Sequence, residues 1–382
     1  MSRGSKYSRR NQLAKCKICN TTSPFISANL EVCLSCIRSK PEETLQISNR
    51  IHAKTRQTFN LPPETPQTPN GLNCGQCANR CKIGEGQKGY CGLVENKEGK
   101  LIRHGGTPER GVLQWYYDPL PTNCVSWWFC PGCTGAGYPT YAYQPSAEIS
   151  YSNLAVFYGS CSTDCLFCQN WHYRSLAQKH KSIVSAKSLA SKVTEKTSCI
   201  CFFGGDPSTQ MPHALKTSQT ALTKASEQNR ILRICWETNG LMLPEFAEQA
   251  AILSLKSGGN IKFDIKTWDE NLNKALCRTS NKAVFENFRN IARKYYNRRP
   301  EIPLLTASTL LIPGYVDVQE IENTAKVISE TNPEIPYTLL AFYPTYVLND
   351  LPFTSREQAY NCYNIAKKYL EKVRIGNTHL LS

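Results

Sequence analysis

From residue 152 onward, short apolar segments alternate with amphipathic ones, and this alternation constrains the fold more than any other feature of the chain. The apolar segments are bounded by Gly, Pro, Asn or Asp, as buried parallel strands are, and six occur, at 153–158, 199–203, 231–236, 260–265, 304–312 and 337–342. The pattern predicts helices between them at about 185–196, 212–228, 244–255, 282–297, 317–331 and 354–371. Six β/α units in succession indicate an α/β fold with a parallel sheet. We expect a partial (β/α)6 barrel, with a doubly wound sheet as the alternative.

The 382 residues are enough for one large domain with smaller modules. We divide the chain into a basic tail with a zinc-ribbon-like knuckle at 1–40, a Pro-rich linker at 41–73, a Cys-rich module at 74–150 and the α/β core at 151–382. The linker assignment depends on the prolines of NLPPETPQTPNG and on the absence of periodicity. The 74–150 module has little helical pattern, so we expect bound metal to pin it over the core.

The chain has 19 cysteines and no apolar signal segment behind its basic N-terminus. Because the cytosol keeps thiols reduced, a disulfide framework is not favoured. No segment approaches 18 uninterrupted apolar residues, so we expect no membrane span and a cytoplasmic protein. We interpret the isolated cysteines, which have apolar or helical surroundings, as core residues: Cys199, Cys201, Cys235, Cys277 and Cys362.

Three upstream sets of cysteines have the short gaps that metal ligands need. The first is C-x2-C-x13-C-x2-C and predicts structural zinc; it comprises Cys16, Cys19, Cys33 and Cys36. For the second, zinc is favoured and an auxiliary iron–sulfur cluster competes; it comprises Cys74, Cys77, Cys81 and Cys91. The third has only three members, Cys124, Cys130 and Cys133. We interpret these three as unligated or partly buried, with a further cluster that has one outside ligand as the alternative.

A C-x3-C-x2-C ladder follows the first predicted strand and comprises Cys161, Cys165 and Cys168. Loops at the C-terminal ends of barrel strands commonly carry the chemistry. Three thiolates on one loop can hold three irons of a [4Fe–4S] cluster and leave the fourth iron to a non-protein ligand. The alternative is a zinc site whose fourth ligand lies elsewhere in the chain.

Polar residues also follow the next three predicted strands. They are Gly204, Gly205, Asp206 and Pro207 in GGDP, Glu237, Thr238 and Asn239 in ETN, and Lys262, Asp264 and Lys266 in KFDIK. Glycines allow a backbone to come close to a ligand, an acid can bind an ammonium group, and ETN suits sugar hydroxyls. Because parallel strands end at one edge of the sheet, we expect all these residues to face one mouth.

These motifs carry a resemblance to a known family. The triplet with Phe167 before its last cysteine, together with GGDP, ETNG and DIK, resembles the radical S-adenosylmethionine (SAM) superfamily. The order and spacing are similar to its pyruvate formate-lyase activating-enzyme branch, and FCQNW, STLLIPGYVD and VRIGNTHLL resemble relatives that include the radical enzyme of the AmmeMemoRadiSam group. The resemblance covers residues 74–382. Two positions depart from that branch: Ser308 stands in place of an arginine and Tyr343 in place of a histidine.

The resemblance implies a [4Fe–4S] cluster on the triplet, whose open iron binds the amino and carboxylate groups of SAM. It assigns the amino group to Gly204, Gly205 and Asp206 and the ribose to Glu237 and Asn239, with Phe167 packed around the cofactor. We also count Pro207, Thr238, Asp264 and Lys266 as cofactor-binding. Reductive cleavage of SAM would give a 5′-deoxyadenosyl radical that removes hydrogen from a protein or peptide. We expect such an oxidoreductase to use a reductant such as ferredoxin or flavodoxin.

The basic N-terminus leaves two other functions open. The net charge is +15, and residues 1–60 hold 11 Lys and Arg against 3 Glu. Such a surface can attract nucleic acid, although a solvated arm has the same composition. The alternatives are a radical SAM enzyme that modifies RNA and a non-catalytic, zinc-binding protein that binds nucleic acid.

Overall fold

The structure is a computed structural model that describes residues 13–122 and 124–382, so residues 1–12 of the expected basic tail lie outside it. The strands of the described residues are β1 Ala14–Lys15, β2 Thr22–Ser23, β3 Leu72–Asn73, β4 Lys82–Ile83, β5 Val94–Lys97, β6 Lys100–Arg103, β7 Gly111–Pro119, β8 Ser152–Tyr158, β9 Ile183–Val184, β10 Thr197–Gly204, β11 Arg233–Thr238, β12 Ile261–Asp264, β13 Leu305–Leu311, β14 Tyr337–Ala341 and β15 Val373–Gly376. The α-helices are α1 Leu34–Ser39, α2 Pro41–Gln57, α3 Pro131–Thr134, α4 Tyr173–Lys179, α5 Ala186–Ala190, α6 Met211–Glu227, α7 Pro244–Ser257, α8 Glu270–Cys277, α9 Lys282–Tyr295, α10 Val318–Ser329 and α11 Arg356–Ala366.

One large, mostly parallel sheet forms the centre of the molecule. Its strand order is β15-β14-β13-β12-β11-β10-β8-β7-β9, and β7 adds to β8 in the antiparallel direction. The parallel strands follow chain order without reversal, so right-handed crossovers place their helices on one face. A doubly wound sheet needs a reversal of strand order. The structure therefore confirms the partial barrel rather than the doubly wound alternative.

Side chains of the parallel strands alternate between the helices and the barrel interior. Trp236 of β11 donates its indole N–H to the hydroxyl of Ser254 in α7 at 3.0 Å, so this face of the strand packs on helices. Neighbouring Cys235 and Glu237 point the other way, into the barrel. The six predicted strands are all present with ends that differ by at most two residues, and β15 adds a seventh parallel strand.

The prediction of a linker at 41–73 is wrong for its first half, because residues 41–57 form the helix α2. The helix starts with Pro41 at its first turn, followed by Glu42 and Glu43, which suit the positive end of a helix dipole. Its buried face includes His52 and Arg56, whose polar side chains hid the apolar periodicity that sequence reasoning looked for. Residues 74–150 contain the hairpin of β5 and β6 as well as β7, and are less irregular than we expected.

The helices of the described residues include none that is both long enough and apolar enough to cross a membrane.

Candidate active site

The cysteine triplet lies on a loop after β8, and the turn after β10 holds this loop in place. The Gly205 N–H donates to the Tyr158 carbonyl oxygen at 2.8 Å, and the Asp206 N–H donates to the Ser160 carbonyl oxygen at 2.7 Å. A Cβ atom added to Gly204 would lie 2.5 Å from the Tyr158 nitrogen, and one added to Gly205 would lie 2.2 Å from the Ser160 oxygen. These glycines therefore allow two strand ends to approach each other, and their contact with a ligand stays a prediction.

The three thiols of the triplet are shielded from solvent. Cys161 and Cys165 are buried and Cys168 is half-buried. The Thr163 hydroxyl lies 3.2 Å from the Cys161 sulfur and 3.4 Å from the Cys165 sulfur. A hydrogen bond from the Cys277 thiol at the end of α8 lowers the pKa of Cys165 to about 7. This favours the thiolate, the form that binds metal, and Cys277 is more than the simple core residue we expected.

Asp164, between the first two cysteines, is buried and bound by a histidine and two arginines from two helices. From α2, His52 Nδ1 lies 2.9 Å from one Asp164 oxygen and Arg56 lies 3.8 Å from the other. From α4, Arg174 donates to Asp164 from Nε at 3.1 Å and from Nη2 at 2.6 Å. Burial would raise the pKa of Asp164, but the hydrogen bond from His52 and the charge of Arg174 outweigh burial and keep this pKa well below its usual range. Helices α2 and α4 therefore hold the cysteine loop in place.

Asp206 is a second buried carboxylate beside the triplet, and its donors are neutral. It accepts hydrogen bonds from the Ser208 N–H at 2.8 Å, the Thr238 hydroxyl at 3.1 Å and the Asn239 N–H at 2.6 Å. Burial raises the pKa of Asp206, and these hydrogen bonds only partly oppose the increase. No lysine, arginine or histidine of the described residues forms an ion pair with it. A buried carboxylate in this state has affinity for a cation.

The side chain of Asn239 binds the cysteine loop. Its Nδ2 donates to the Ser162 hydroxyl at 2.9 Å and lies 3.6 Å from the Cys161 sulfur. We expected this amide beside a ribose, but the hydrogen bonds tie the end of β11 to the triplet instead. Its role in ribose binding stays a prediction.

Two ion pairs lie at the carboxyl ends of β11 and β12. Lys262 Nζ lies 2.7 Å from Glu237 Oε2, and Lys266 pairs with Asp264. The Lys266 ammonium also lies 5.7 Å from the centre of the Phe167 ring. Carboxylates and ammonium groups therefore alternate along this rim, and both kinds of charge are available to a zwitterionic ligand.

One cavity brings the triplet and the strand ends together. The predicted site residues on its wall are Cys161, Cys165, Phe167, Cys168, Gly204, Gly205, Asp206, Glu237, Thr238, Asn239, Lys262, Asp264 and Lys266. Pro207 is the exception, because it is buried in the short 3-10 helix Pro207–Thr209. Residues from three strand ends and the loop after β8 thus surround a single space, as expected of the mouth of a barrel.

The N-terminal cysteines also meet. The four sulfur atoms, from Cys16, Cys19, Cys33 and Cys36, all lie within 4.8 Å of one another. In the described part of the chain, no other group of three or more potential ligands converges as closely. The Cys19 sulfur lies 3.2 Å from the Thr21 hydroxyl, and the hydrogen bond between them lowers the pKa of Cys19 to about 6. Four thiols in this arrangement can hold one metal ion.

The second upstream set lies together without such convergence. All four of its cysteines, Cys74, Cys77, Cys81 and Cys91, are buried. The Cys74 N–H donates to the Cys81 carbonyl oxygen at 2.9 Å. Burial, followed by the charge of Cys91, raises the pKa of Cys77. A metal on this set stays a prediction.

The N-terminal extension, residues 13–57, is bound to the barrel by polar contacts. Ser27 donates its hydroxyl to Asp350 at 2.8 Å, and Arg38 lies 2.9 Å from Asp317 and 2.8 Å from Glu320. Arg38 and Arg56 therefore pair inside the molecule. Basic side chains that we counted toward a nucleic-acid surface partly serve the fold.

Comparison with known proteins gives one family match. Residues 155–328 match the Radical SAM superfamily. A protein of Methanocaldococcus jannaschii, provisionally named as a glycyl-radical enzyme activating enzyme, is 28% identical over 234 residues, which are 59% of this chain and 82% of that protein. An uncharacterized protein of the same organism is 24% identical over 319 residues, which are 81% of this chain and 82% of that protein.

Similar solved structures include a domain of pyruvate-formate lyase-activating enzyme from Bacteroides vulgatus, with a TM-score of 0.36, 21% identity and coverage of 46% of this chain and 98% of that one. Streptococcus suis SuiB bound to the precursor peptide SuiA has a TM-score of 0.40, 12% identity and coverage of 61% of this chain and 50% of that one. At these TM-scores the likeness supports no further conclusion. The matched segment 155–328 contains the triplet and the turns after β10, β11 and β12, so the similarity to the Radical SAM superfamily extends over the candidate active site.

Proposed function

We propose that Cys161, Cys165 and Cys168 hold a [4Fe–4S] cluster, that SAM fills the adjoining cavity, and that the radical made there removes hydrogen from a protein or peptide. The observation that carries the proposal is the convergence of three shielded thiols and the cation-free Asp206 on one cavity. A radical SAM domain implies both cofactors.

The residues present fit the cluster. Three cysteines of one loop face the cavity, and their sulfurs do not all lie within 4.8 Å of one another, as those of the N-terminal set do. Ligands of a [4Fe–4S] cluster bind separate irons, so their sulfurs lie farther apart than around one ion. The hydrogen bond from Cys277 favours thiolate at Cys165. We therefore favour the cluster over a zinc site on the triplet.

The residues also fit SAM, which carries an ammonium group, a carboxylate and a ribose. Asp206 lacks a cationic partner among the described residues, so an ammonium group would satisfy it. The Lys262 and Lys266 ammonium groups also line the cavity, where they can attract the carboxylate. Glu237 remains on the cavity wall as an acceptor for a ribose hydroxyl. The proposal keeps Gly204, Gly205, Thr238 and Asp264 as lining residues and omits Pro207.

The protein's own part is to orient the cofactors and exclude water. When bound and reduced, the cluster supplies the electron that cleaves SAM. Asp164, clamped by His52, Arg56 and Arg174, keeps the cysteine loop in one conformation. Phe167 shields the loop with a buried ring. Each of these residues acts by holding geometry, and none of them needs to transfer a proton.

The test is anaerobic reconstitution with iron and sulfide, reduction, and addition of SAM, with 5′-deoxyadenosine as the measured product. We expect Cys165→Ala to abolish product, because one of three cluster ligands is lost. Cys362→Ala is the matched control, since Cys362 is buried in α11 away from the cavity. Wild-type protein with intact cluster absorbance and no 5′-deoxyadenosine would rule the proposal out.

A protein or peptide substrate is favoured by the name of the M. jannaschii relative. The substrate can be sought by anaerobic pull-down from cell extract, with hydrogen abstraction followed by deuterium transfer into 5′-deoxyadenosine.

An RNA substrate is the second candidate, since residues 1–60 carry a net positive charge. Salt-sensitive RNA binding that is lost on deletion of residues 1–12 would favour it. We place the reaction in the cytoplasm with a ferredoxin or flavodoxin as reductant.

We further propose zinc at the N-terminal set, because its four sulfurs lie within 4.8 Å of one another. Elemental analysis should find about one zinc per chain that Cys19→Ser removes. The non-catalytic alternative predicts zinc without iron under the same anaerobic conditions.

The proposed division of the chain joins α2 to the barrel, since buried residues of α2 contact the cysteine loop.

A further inference from the structure

Six cysteines, far apart in sequence, meet inside the barrel below the mouth. Five of them line one cavity: Cys124, Cys130, Cys199, Cys201 and Cys235. The sixth, Cys133, accepts a hydrogen bond from the Cys130 thiol. Sequence reasoning had treated Cys199, Cys201 and Cys235 as unrelated core residues. Short gaps between Cys124, Cys130 and Cys133 had indicated three ligands that lacked a fourth.

Two parallel strands and one irregular segment bring these thiols together. Cys201 of β10 is the register partner of Cys235 of β11, so both side chains point into the barrel. The segment that carries the other three cysteines closes this end of the barrel. It is anchored by the Ser126 hydroxyl, which donates to the Asn260 side-chain oxygen at 3.1 Å. The arrangement depends on buried, ordered contacts and not on an exposed loop.

We propose that this cavity binds a second iron–sulfur cluster, with Cys124, Cys130, Cys133 and Cys235 as its ligands. Cys235 is the candidate for the missing fourth ligand because it lines the same cavity as Cys124 and Cys130 and points into the barrel. Together they make the all-cysteine set that ordinary [4Fe–4S] clusters use. Cys199 and Cys201 complete the sulfur-rich wall beside them.

The spacing of the sulfurs favours a cluster over a single zinc ion. Among the described residues, only the N-terminal set brings three or more ligand atoms within 4.8 Å of one another. The Cys130 and Cys133 thiols are hydrogen-bonded to each other, but no three sulfurs of the six barrel cysteines all lie within that distance of one another. A cluster distributes its ligands over separate irons, whereas zinc needs all four sulfurs around one centre.

The cavity is separate from the mouth but adjoins it. Glu237 lines both cavities, and its ion pair with Lys262 stands between them. Arg233 borders the far side, where it donates to Glu148 at 2.8 and 2.6 Å. A cluster at this position would lie inside the barrel, one ion pair away from the proposed site of SAM.

The test uses the full chain with the mouth cluster removed by Cys161→Ser, Cys165→Ser and Cys168→Ser together. After anaerobic reconstitution, this variant should still bind iron and sulfide and give a paramagnetic signal on reduction. Adding Cys130→Ser and Cys133→Ser should remove about four irons and four sulfides per chain. The matched control adds Cys77→Ser and Cys81→Ser instead and should keep those irons. Because iron is counted without the triplet, this test is independent of SAM cleavage.

The proposal would be overturned if the iron remains after Cys130→Ser and Cys133→Ser, or if it is lost only with the control pair. Zinc bound in place of iron would also overturn it. Circular dichroism checks that the variants fold. A second measurement uses wild-type protein, so it does not depend on their folding. Iodoacetamide should label Cys124 and Cys235 at least tenfold less in reconstituted protein than after removal of the cluster with an oxidant and a chelator. Equal labelling in both states would contradict the proposal.

Discussion

Two buried aspartates flank the cysteine triplet, and they are held in opposite ways. Asp164, behind the loop, is bound by His52, Arg56 and Arg174 and has a pKa held below its usual range. Asp206, at the mouth, is held by neutral donors alone and has a raised pKa. Burial of a carboxylate is costly unless a cation compensates its charge.

The difference distinguishes a carboxylate that serves the fold from one that can bind a ligand. The charge of Asp164 is already compensated, so a ligand has nothing to add to it. The charge of Asp206 is compensated by no cation among the described residues, and it borders the cavity. A site that stores an uncompensated charge gains free energy when a cationic ligand enters. Three tests can break or sharpen this comparison.

The largest effect is expected for Asp164→Asn. The variant leaves Arg174, Arg56 and His52 without the anion that they surround, and breaking a buried pair in this way typically costs about 3–5 kcal/mol. Urea unfolding of the apo chain, under reducing conditions, measures the free energy of unfolding. Asp206→Asn is the matched control and should cost less, about 1–3 kcal/mol, because it removes hydrogen bonds from neutral donors only. Equal losses in the two variants would remove the distinction between the two aspartates.

An intermediate effect is expected on acidification, at His213 on the mouth side of the loop. His213, in the first turn of α6, accepts a hydrogen bond from the Tyr158 hydroxyl at 2.8 Å and donates to the Val184 carbonyl oxygen at 2.9 Å. Burial lowers its pKa from 6.5 to about 4. Below pH 6.5 the unfolded chain therefore binds a proton that the folded chain does not, and the free energy of unfolding falls as the pH falls.

Between pH 7 and pH 5 this loss should reach about 2 kcal/mol. Asp164 stays ionised over this range, so the scaffold side of the loop should contribute little. Urea unfolding at both pH values tests the expectation, with His213→Gln as the control that should lose most of the difference. A variant that keeps the full pH dependence would show that other groups cause it.

Sequence reasoning was strongest where the signal is local. The strands after residue 152 carry their apolar pattern within a few residues, and the triplet and the GGDP turn follow strands directly. Their common location then follows from the rule that parallel strands end at one edge. Pro207 shows the limit of that rule, since proximity in sequence did not place it on the cavity wall.

Contacts between distant residues could not be predicted in this way. His52 and Asp164 are 112 residues apart, and nothing local to either indicates the pair. The barrel cysteines are partly different, because CICFF alternates cysteine with apolar residues. That period of two places Cys199 and Cys201 on one face of a strand, but the partner segment 124–133 is fixed only by tertiary packing.

The smallest effect, and the one closest to function, is expected for Asp206→Asn in the binding of SAM. Loss of the negative charge should weaken the affinity for SAM roughly tenfold, about 1.4 kcal/mol. Anaerobic equilibrium dialysis with the reconstituted protein measures this affinity. Methylthioadenosine, which keeps the adenosine but has no amino group, is the control ligand and should bind both proteins equally. If the binding of both ligands weakens equally, Asp206 has only a structural role in the turn after β10. Both aspartates would then serve only to hold the cysteine loop. If only SAM weakens, the uncompensated carboxylate recognises the ammonium group.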